Sequence, residues 1–145
     1  MMTWIINAAR LARCQTVYNR APSSIHRTGL TTRSLHTFVL YAPDCNDPDA
    51  LSRRLSVRET HFAKCREDLG TFLIRGGAIL APDSDLDAVA AGGPKKMIGS
   101  VIFVRGNSLE EVTKKVKEDI YYKSGVWDPE KLVILPYAEG ISESK

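Results

Sequence analysis

From residue 37 onward, apolar runs of strand length alternate with stretches whose apolar positions recur every three or four residues. Thr37 to Ala42 reads as a strand closed by Pro43-Asp44. Asp47-Pro48 opens a helix, with Asp at the cap and Pro at the first helical position. Leu51, Leu55, Phe62, Cys65 and Leu69 then recur up to Gly70. At 100° per residue they fall within about 40° of one line and predict a buried stripe. Ser56 and Glu59 form a further capping box inside this stretch, so the helix is expected in two pieces. Thr71 to Ile74 and Ala78 to Leu80 flank Arg75-Gly76-Gly77, a strand with a bulge or close backbone approach at the glycines. Residues 81–94 read as a polar loop, and Lys96 to Val104 as the third strand. Ser108 and Glu111 cap a second helix that carries Leu109, Val112, Val116 and Ile120 on one face and ends near Gly125. Lys131 to Tyr137 is the last strand. The order βαββαβ predicts an α+β, ferredoxin-like sandwich.

Helices in that topology cover one face of the sheet, yet these strands are apolar on both. Phe38 and Leu40 alternate with Val39 and Tyr41, Val101 and Phe103 with Ile102 and Val104, and Leu132 and Ile134 with Val133 and Leu135. Strands buried on both sides have this composition. Monomers rarely tolerate so large an exposed apolar patch. The pattern therefore predicts a two-fold dimer, sheet against sheet.

Charge divides the chain. The 145 residues carry a formal +3, from 20 Lys+Arg and 17 Asp+Glu. Residues 1–37 hold Arg10, Arg13, Arg20, Arg27 and Arg33 and no acid, a net of +5, so the remainder carries 15 basic and 17 acidic residues, a net of −2. The first segment is also rich in Ser and Thr, the composition of a mitochondrial transit peptide. Trp4, Ala8 and Leu11 share one helical face, with Arg10 and Arg13 opposite. A disordered tail is the bland alternative. The division expected is residues 1–35 as transit peptide or disordered tail and 36–145 as the folded domain, working in the mitochondrial matrix. Asn7 and Arg10 interrupt any secretory apolar core, and no run of about 18 apolar residues supports a membrane span. Three cysteines without a CxxC pair exclude a disulfide framework and a ribbon-type zinc site.

His61 is the one candidate catalytic histidine, because His26 lies in the Arg-rich segment and His36 at its edge. Arg58 falls inside the predicted apolar stripe, and Arg54 and His61 lie on its flank. A cation on an apolar stripe needs a partner or a wet cleft, since burying it alone costs several kcal/mol. On the second helix Asp119 follows Val116 by one turn, again beside the apolar face. An Asp beside a His orients the ring and stabilises its cation, which makes the pair a candidate acid/base. A half-exposed histidine with a structural Arg–Asp pair fits the same spacing.

Across Thr37 to Tyr137 the chain resembles the YCII-related family. The likeness is carried by Tyr41 to Asp44, by the segment Arg54-Leu55-Ser56-Val57-Arg58-Glu59-Thr60-His61, by the glycine-bearing Gly70 to Leu80, and by Glu118 to Val126. It implies ferredoxin-like dimers of the dimeric α/β-barrel type with a His–Asp active site, here His61 and Asp119. Some similar proteins handle chlorinated hydroxyquinol or lactone-type intermediates by proton transfer and elimination. Two positions depart from the family pattern: Ile120 and Glu59 stand where Pro is usual. The expected function is a cofactor-independent lyase or isomerase acting on a small oxygenated metabolite, with Arg58 holding an anionic group and no metal. The alternative is a non-catalytic dimeric ligand-binding or scaffold protein.

Other readings fare worse. RNA-recognition domains share the βαββαβ order, and Lys96 to Phe103 keeps a basic start, Gly99, Val101 and Phe103. Ile98 and Ser100 replace two stacking aromatics, each of which is worth about 1–3 kcal/mol per base, and the net −2 opposes a polyanion. No nucleic-acid partner is expected. His61 and Cys65 at i, i+4 share a helix face without a third ligand nearby, and Cys65 reads as a small core residue. Tyr121, Tyr122 and Trp127 suit packing, or the wall of a ligand cleft. If the Arg-rich segment is an address, protein from isolated mitochondria should begin near Leu35 on N-terminal sequencing, and an intact Met1 would contradict it.

Overall fold

The computed structural model describes residues 34–141. The transit-peptide expectation, with His26 and the Trp4–Arg13 stretch, lies outside the described residues.

Four strands form one antiparallel sheet: β1 (His36–Pro43), β2 (Leu73–Leu80), β3 (Met97–Gly106) and β4 (Val133–Tyr137). Their order is β2-β3-β1-β4, with the first strand next to the last and the third beside the first. With the intervening helices this is the ferredoxin-like α+β arrangement. Register places Val39 between Phe103 and Leu135, and Leu40 between Ile102 and Ile134. Because side chains alternate across a strand, this fixes two apolar faces. Phe38, Leu40, Ala42, Ile102 and Val104 point to the helix side and pack with Val112, Val116, Tyr121, Val126 and Trp127. Each large apolar side chain buried there contributes about 1.5–3 kcal/mol. The opposite face carries Val39, Tyr41, Val101, Phe103, Val133 and Leu135, with Tyr41 48% and Leu135 54% exposed.

The first helical region is broken, as the second capping signal implies, into α1 (Ala50–Ser56) and α2 (Arg58–Asp68). The cap itself differs from expectation. Ser56 Oγ donates to the Arg53 carbonyl, and Val57 occupies the cap position of α2. The break changes which side chains face inward. The predicted stripe of Leu51, Leu55, Phe62, Cys65 and Leu69 is not the buried face: Leu55 is 53% and Leu69 61% exposed, and Cys65 is half-buried. Arg54 and His61 are buried instead. A pause in the helix at Val57 shifts the angular phase, so positions before and after it do not share one line.

Residues 81–94 also contain more than a loop. Asp85 accepts the Ala88 N–H and starts a short helix, α3 (Leu86–Ala90). The last helical region is likewise divided, into α4 (Leu109–Lys117) and α5 (Ile120–Lys123). Ser108 caps α4 as its sequence predicts, accepting the Glu111 N–H at 3.1 Å. Gly106 lies where α4 meets the end of β3, and a Cβ there would collide with Val112 Cγ2. The β2 irregularities fall at Ile74 and between Ile79 and Leu80, and not at Gly76-Gly77. The expected close approach holds at Gly76, whose Cβ would stand 3.0 Å from the Val101 carbonyl oxygen. Among the described residues no helix is long and apolar enough to cross a membrane.

Candidate functional site

The site begins with the break between α4 and α5. Asp119 is not on the helix after Val116, as its spacing suggests, but is the N-cap of α5. Asp is favoured there because its carboxylate accepts a backbone N–H that has no partner within the helix. Here Oδ1 accepts the Tyr121 N–H at 2.8 Å. Gly125, at φ 64°, ends the short helix and returns the chain to Val126 and Trp127, both fully buried.

His61, on the inner side of α2, meets this turn. Its Nδ1 lies 2.9 Å and 3.0 Å from the two Asp119 oxygens. A carboxylate can only accept, so Nδ1–H is the donor. The imidazole stacks on the Tyr121 ring at 3.9 Å and 14°, and Trp127 stands edge-on at 5.8 Å. One short helix and its cap therefore supply both the carboxylate that fixes the tautomer and the ring that fixes the plane. His61 is only 7% exposed.

At the other ring nitrogen, Nε2, Cys65 Sγ lies 3.4 Å away. Cys65 is thus not simply a core filler. Burial pushes its thiol up to about 11, the Asp119 and Asp68 carboxylates add to the effect, and Arg66 opposes it. Cys65 and Asp119 stand at opposite nitrogens of the ring, so the three groups do not converge on one point. Among the described residues no group of three metal-ligating side chains is found.

Arg54 and Arg58 lie one turn apart on the α1–α2 segment and differ sharply. Arg54 is buried. Its Nη1 donates to Asp44 Oδ1 at 2.6 Å and its Nη2 to Ser100 Oγ at 2.8 Å, and its guanidinium lies 4.7 Å over the Tyr121 ring. Trp127 Nε1 donates to the same Ser100 hydroxyl at 3.3 Å. Burial pushes the Asp44 carboxyl up and Arg54 pulls it back. Breaking such a buried pair by removing one partner costs about 3–5 kcal/mol. Sequence spacing located Arg54 without finding Asp44 or Ser100 as its partners. Their separations of 10 and 46 residues carry no local signal. Arg58 is more exposed, with its guanidinium 4.4 Å over the Phe62 ring and a loose contact at 3.5 Å to Glu59, itself in water.

Two cavities open between α2 and the sheet, with His61 in the wall of each. The larger, about 390 Å³, is bounded by Asp119, Phe72, Val116 and Trp127, with Lys64 and Lys115 at its edge. The smaller, about 280 Å³, is bounded by Arg54, Arg58, Phe62, Gly76 and Tyr121. Of the three residues singled out by spacing, His61 and Asp119 meet directly, while Arg58 borders only the smaller cavity, whose wall does not include Asp119.

No family model matches the chain, and no curated protein matches it. Among solved structures, 5-chloro-2-hydroxyhydroquinone dehydrochlorinase from Burkholderia phenoliruptrix AC1100, in complex with 2,5-dihydroxybenzoquinone, matches with a TM-score of 0.57 and 24% identity. The match covers 72% of this chain and 95% of that one. The two chains share a fold.

The environment of Cys65 generates a pH-dependent expectation. At pH 8 its thiolate fraction is about 100-fold below that of an ordinary thiol, and the higher basicity recovers about tenfold in nucleophilicity. With Cys14 and Cys45 replaced by Ser, alkylation of Cys65 by iodoacetamide at pH 8 should run about tenfold slower than a free thiol and rise toward pH 11. A rate equal to that of free cysteine would contradict this assignment.

Proposed function

We propose that the protein is a cofactor-independent lyase or isomerase acting on a small oxygenated metabolite, with His61 as the proton-transfer group. The observation that carries the reading is the His61–Asp119 contact at 2.9 Å, made by an imidazole that is stacked on Tyr121 and walls a cavity. The neighbour named as a dehydrochlorinase and bound to a quinone supports the kind of chemistry.

In this mechanism His61 Nε2 removes a proton from carbon or hydroxyl of the substrate. The electron pair left behind either expels a leaving group or moves along a conjugated system. The imidazolium formed is stabilised by Asp119, which also keeps the ring in the tautomer that presents an unprotonated Nε2. His61 then returns the proton to another atom of the product or passes it to solvent. Arg58, in the wall of the smaller cavity, holds an anionic group. The Cys65 thiol occupies the Nε2 direction in the resting site, so the substrate must turn it aside.

That last contact favours a second reading, a dimeric ligand-binding protein without catalysis. Small cyclic acids, lactones and hydroxyquinols should be screened for turnover by wild type, His61→Ala and Asp119→Asn. A positioned acid/base contributes about a hundred- to ten-thousand-fold, so both variants should lose at least a hundredfold. Equal turnover by wild type and His61→Ala would remove the mechanism, and no turnover by any of them would favour the binding reading.

The functional unit in this proposal is a two-fold dimer joined through the helix-free sheet face. The support is chemical: Val39, Tyr41, Val101, Phe103, Val133 and Leu135 form a contiguous apolar surface in register, larger in character than monomers usually expose. Sedimentation equilibrium at micromolar concentration should give twice the chain mass, and Leu135→Glu should give the single mass. A wild-type monomer would contradict the dimer.

A further inference from the structure

The two cavities beside His61 differ in charge, and the difference identifies the side on which a ligand sits and the chemistry it carries. The larger is balanced: Lys64, Lys115 and Lys123 face Asp68, Glu118 and Asp119. Asp68 itself holds Lys115 at 2.9 Å and Lys64 at 3.5 Å. The smaller has Arg54, Arg58 and Lys95 in its wall and no acid at all.

Arg54 is the built element of that wall. Its side chain is 4% exposed, and its one carboxylate partner, Asp44, is not part of the cavity wall. Arg54 thus borders the cavity, and the carboxylate that balances it does not. Two of the three nitrogens are committed, to Asp44 and Ser100, while Nε has no acceptor. That Nε and the neighbouring Asp44 Oδ2 both lie sealed from solvent, so Arg54 gives the wall its positive charge and not a free hydrogen-bond donor. Arg58 and Lys95 add charge nearer the mouth. Arg58 has only the solvated Glu59 beside it, and Lys95 makes no ion pair among the described residues.

Apart from His61, Cys65 and Ser100, the rest of the wall is largely apolar. Phe62, Leu73, Met97, Ile102 and Tyr121 line it, and Gly76 brings the β2 backbone to the surface without a side chain. A cavity of about 150 Å³ accepts a benzene, so about 280 Å³ has ample room for one ring with its substituents.

We infer that the smaller cavity is an oxyanion pocket for a single-ring acid, a flat ring bearing one carboxylate or ionised enol held by Arg58, with Lys95 and the buried Arg54 adding positive charge to the wall. This deepens the proposed function, on which it rests for the role of His61, by naming the substrate class and placing it in the cavity whose wall does not include Asp119. Asp119 then works through the imidazole and does not meet the ligand.

The test is calorimetric binding to the full chain, with 2,5-dihydroxybenzoate as probe and hydroquinone as the same ring without its carboxylate. Dihydroxybenzoate should bind at least about tenfold more tightly than hydroquinone, the range of a charge-assisted hydrogen bond. Arg58→Gln should abolish the preference for the acid over hydroquinone while leaving hydroquinone affinity unchanged. Arg58 is partly exposed, so this variant folds where an Arg54 variant risks failure. Lys123→Gln, at the edge of the larger cavity, should leave the preference intact. Equal affinity for acid and hydroquinone, no binding of any probe, or loss of preference in Lys123→Gln in place of Arg58→Gln would overturn the pocket. Asp119→Asn separates this from the catalytic reading: it should keep the preference for the acid even though turnover is lost. A preference that holds while Asp119→Asn turns over normally leaves the pocket standing and removes the mechanism. A preference absent from a wild type whose turnover depends on Asp119 does the reverse.

Discussion

The Asp119 carboxylate is the interaction on which the site depends. It accepts the Tyr121 N–H, which starts α5, and the His61 Nδ1–H, which docks α2 against that turn. Two backbone segments far apart in sequence are joined through one side chain. Starting α5 also sets Tyr121 under the imidazole and leads through Gly125 into Trp127, the largest fully buried side chain. Without the carboxylate, the Tyr121 N–H and the His61 donor would both lack their acceptor in a largely buried place, and unmet donors of this kind cost about 1–3 kcal/mol each.

The second constraint is the Arg54 network. Arg54, Asp44, Ser100 and Trp127 link the α1–α2 segment to the ends of β1 and β3. The guanidinium also lies over Tyr121, so both networks converge on one ring. The cavities on either side of His61 lie beside this network, and Arg54, Ser100 and Tyr121 border the smaller one. Of the two cavities there, one is electrically balanced and one cationic.

Much of the fold was legible in the sequence. Strand positions, the order of elements, the break before Arg58 and the cap at Ser108 follow from local patterns, because period-two and period-3.6 hydrophobicity and capping residues act over a few positions. The inward face of the first helices was not. Leu51, Leu55 and Leu69 share a line only if the helix runs through Val57 unbroken, and it does not. The split at Asp119 was missed for a related reason: an Asp following an apolar periodic stretch reads equally as the flank of a continuing helix or as the cap of a new one. Proximity of His61 to Asp119 was suggested by spacing, but the partners of Arg54 and the contact between Cys65 and Nε2 arise from tertiary packing. No local window shows the charge asymmetry of the two cavities, since its charged members come from α1, α2, the segment before β3, α4, α5 and the turn between those last two.

The proposed chemistry depends on Asp119 fixing His61 in the tautomer whose Nε2 carries no proton. Long-range proton–nitrogen NMR of the ¹⁵N-labelled protein, at a pH where the ring is neutral, reads this directly. The account predicts that His61 carries its proton on Nδ1 in the wild type, and that Asp119→Asn redistributes it toward Nε2. A wild-type His61 protonated on Nε2 would contradict the account.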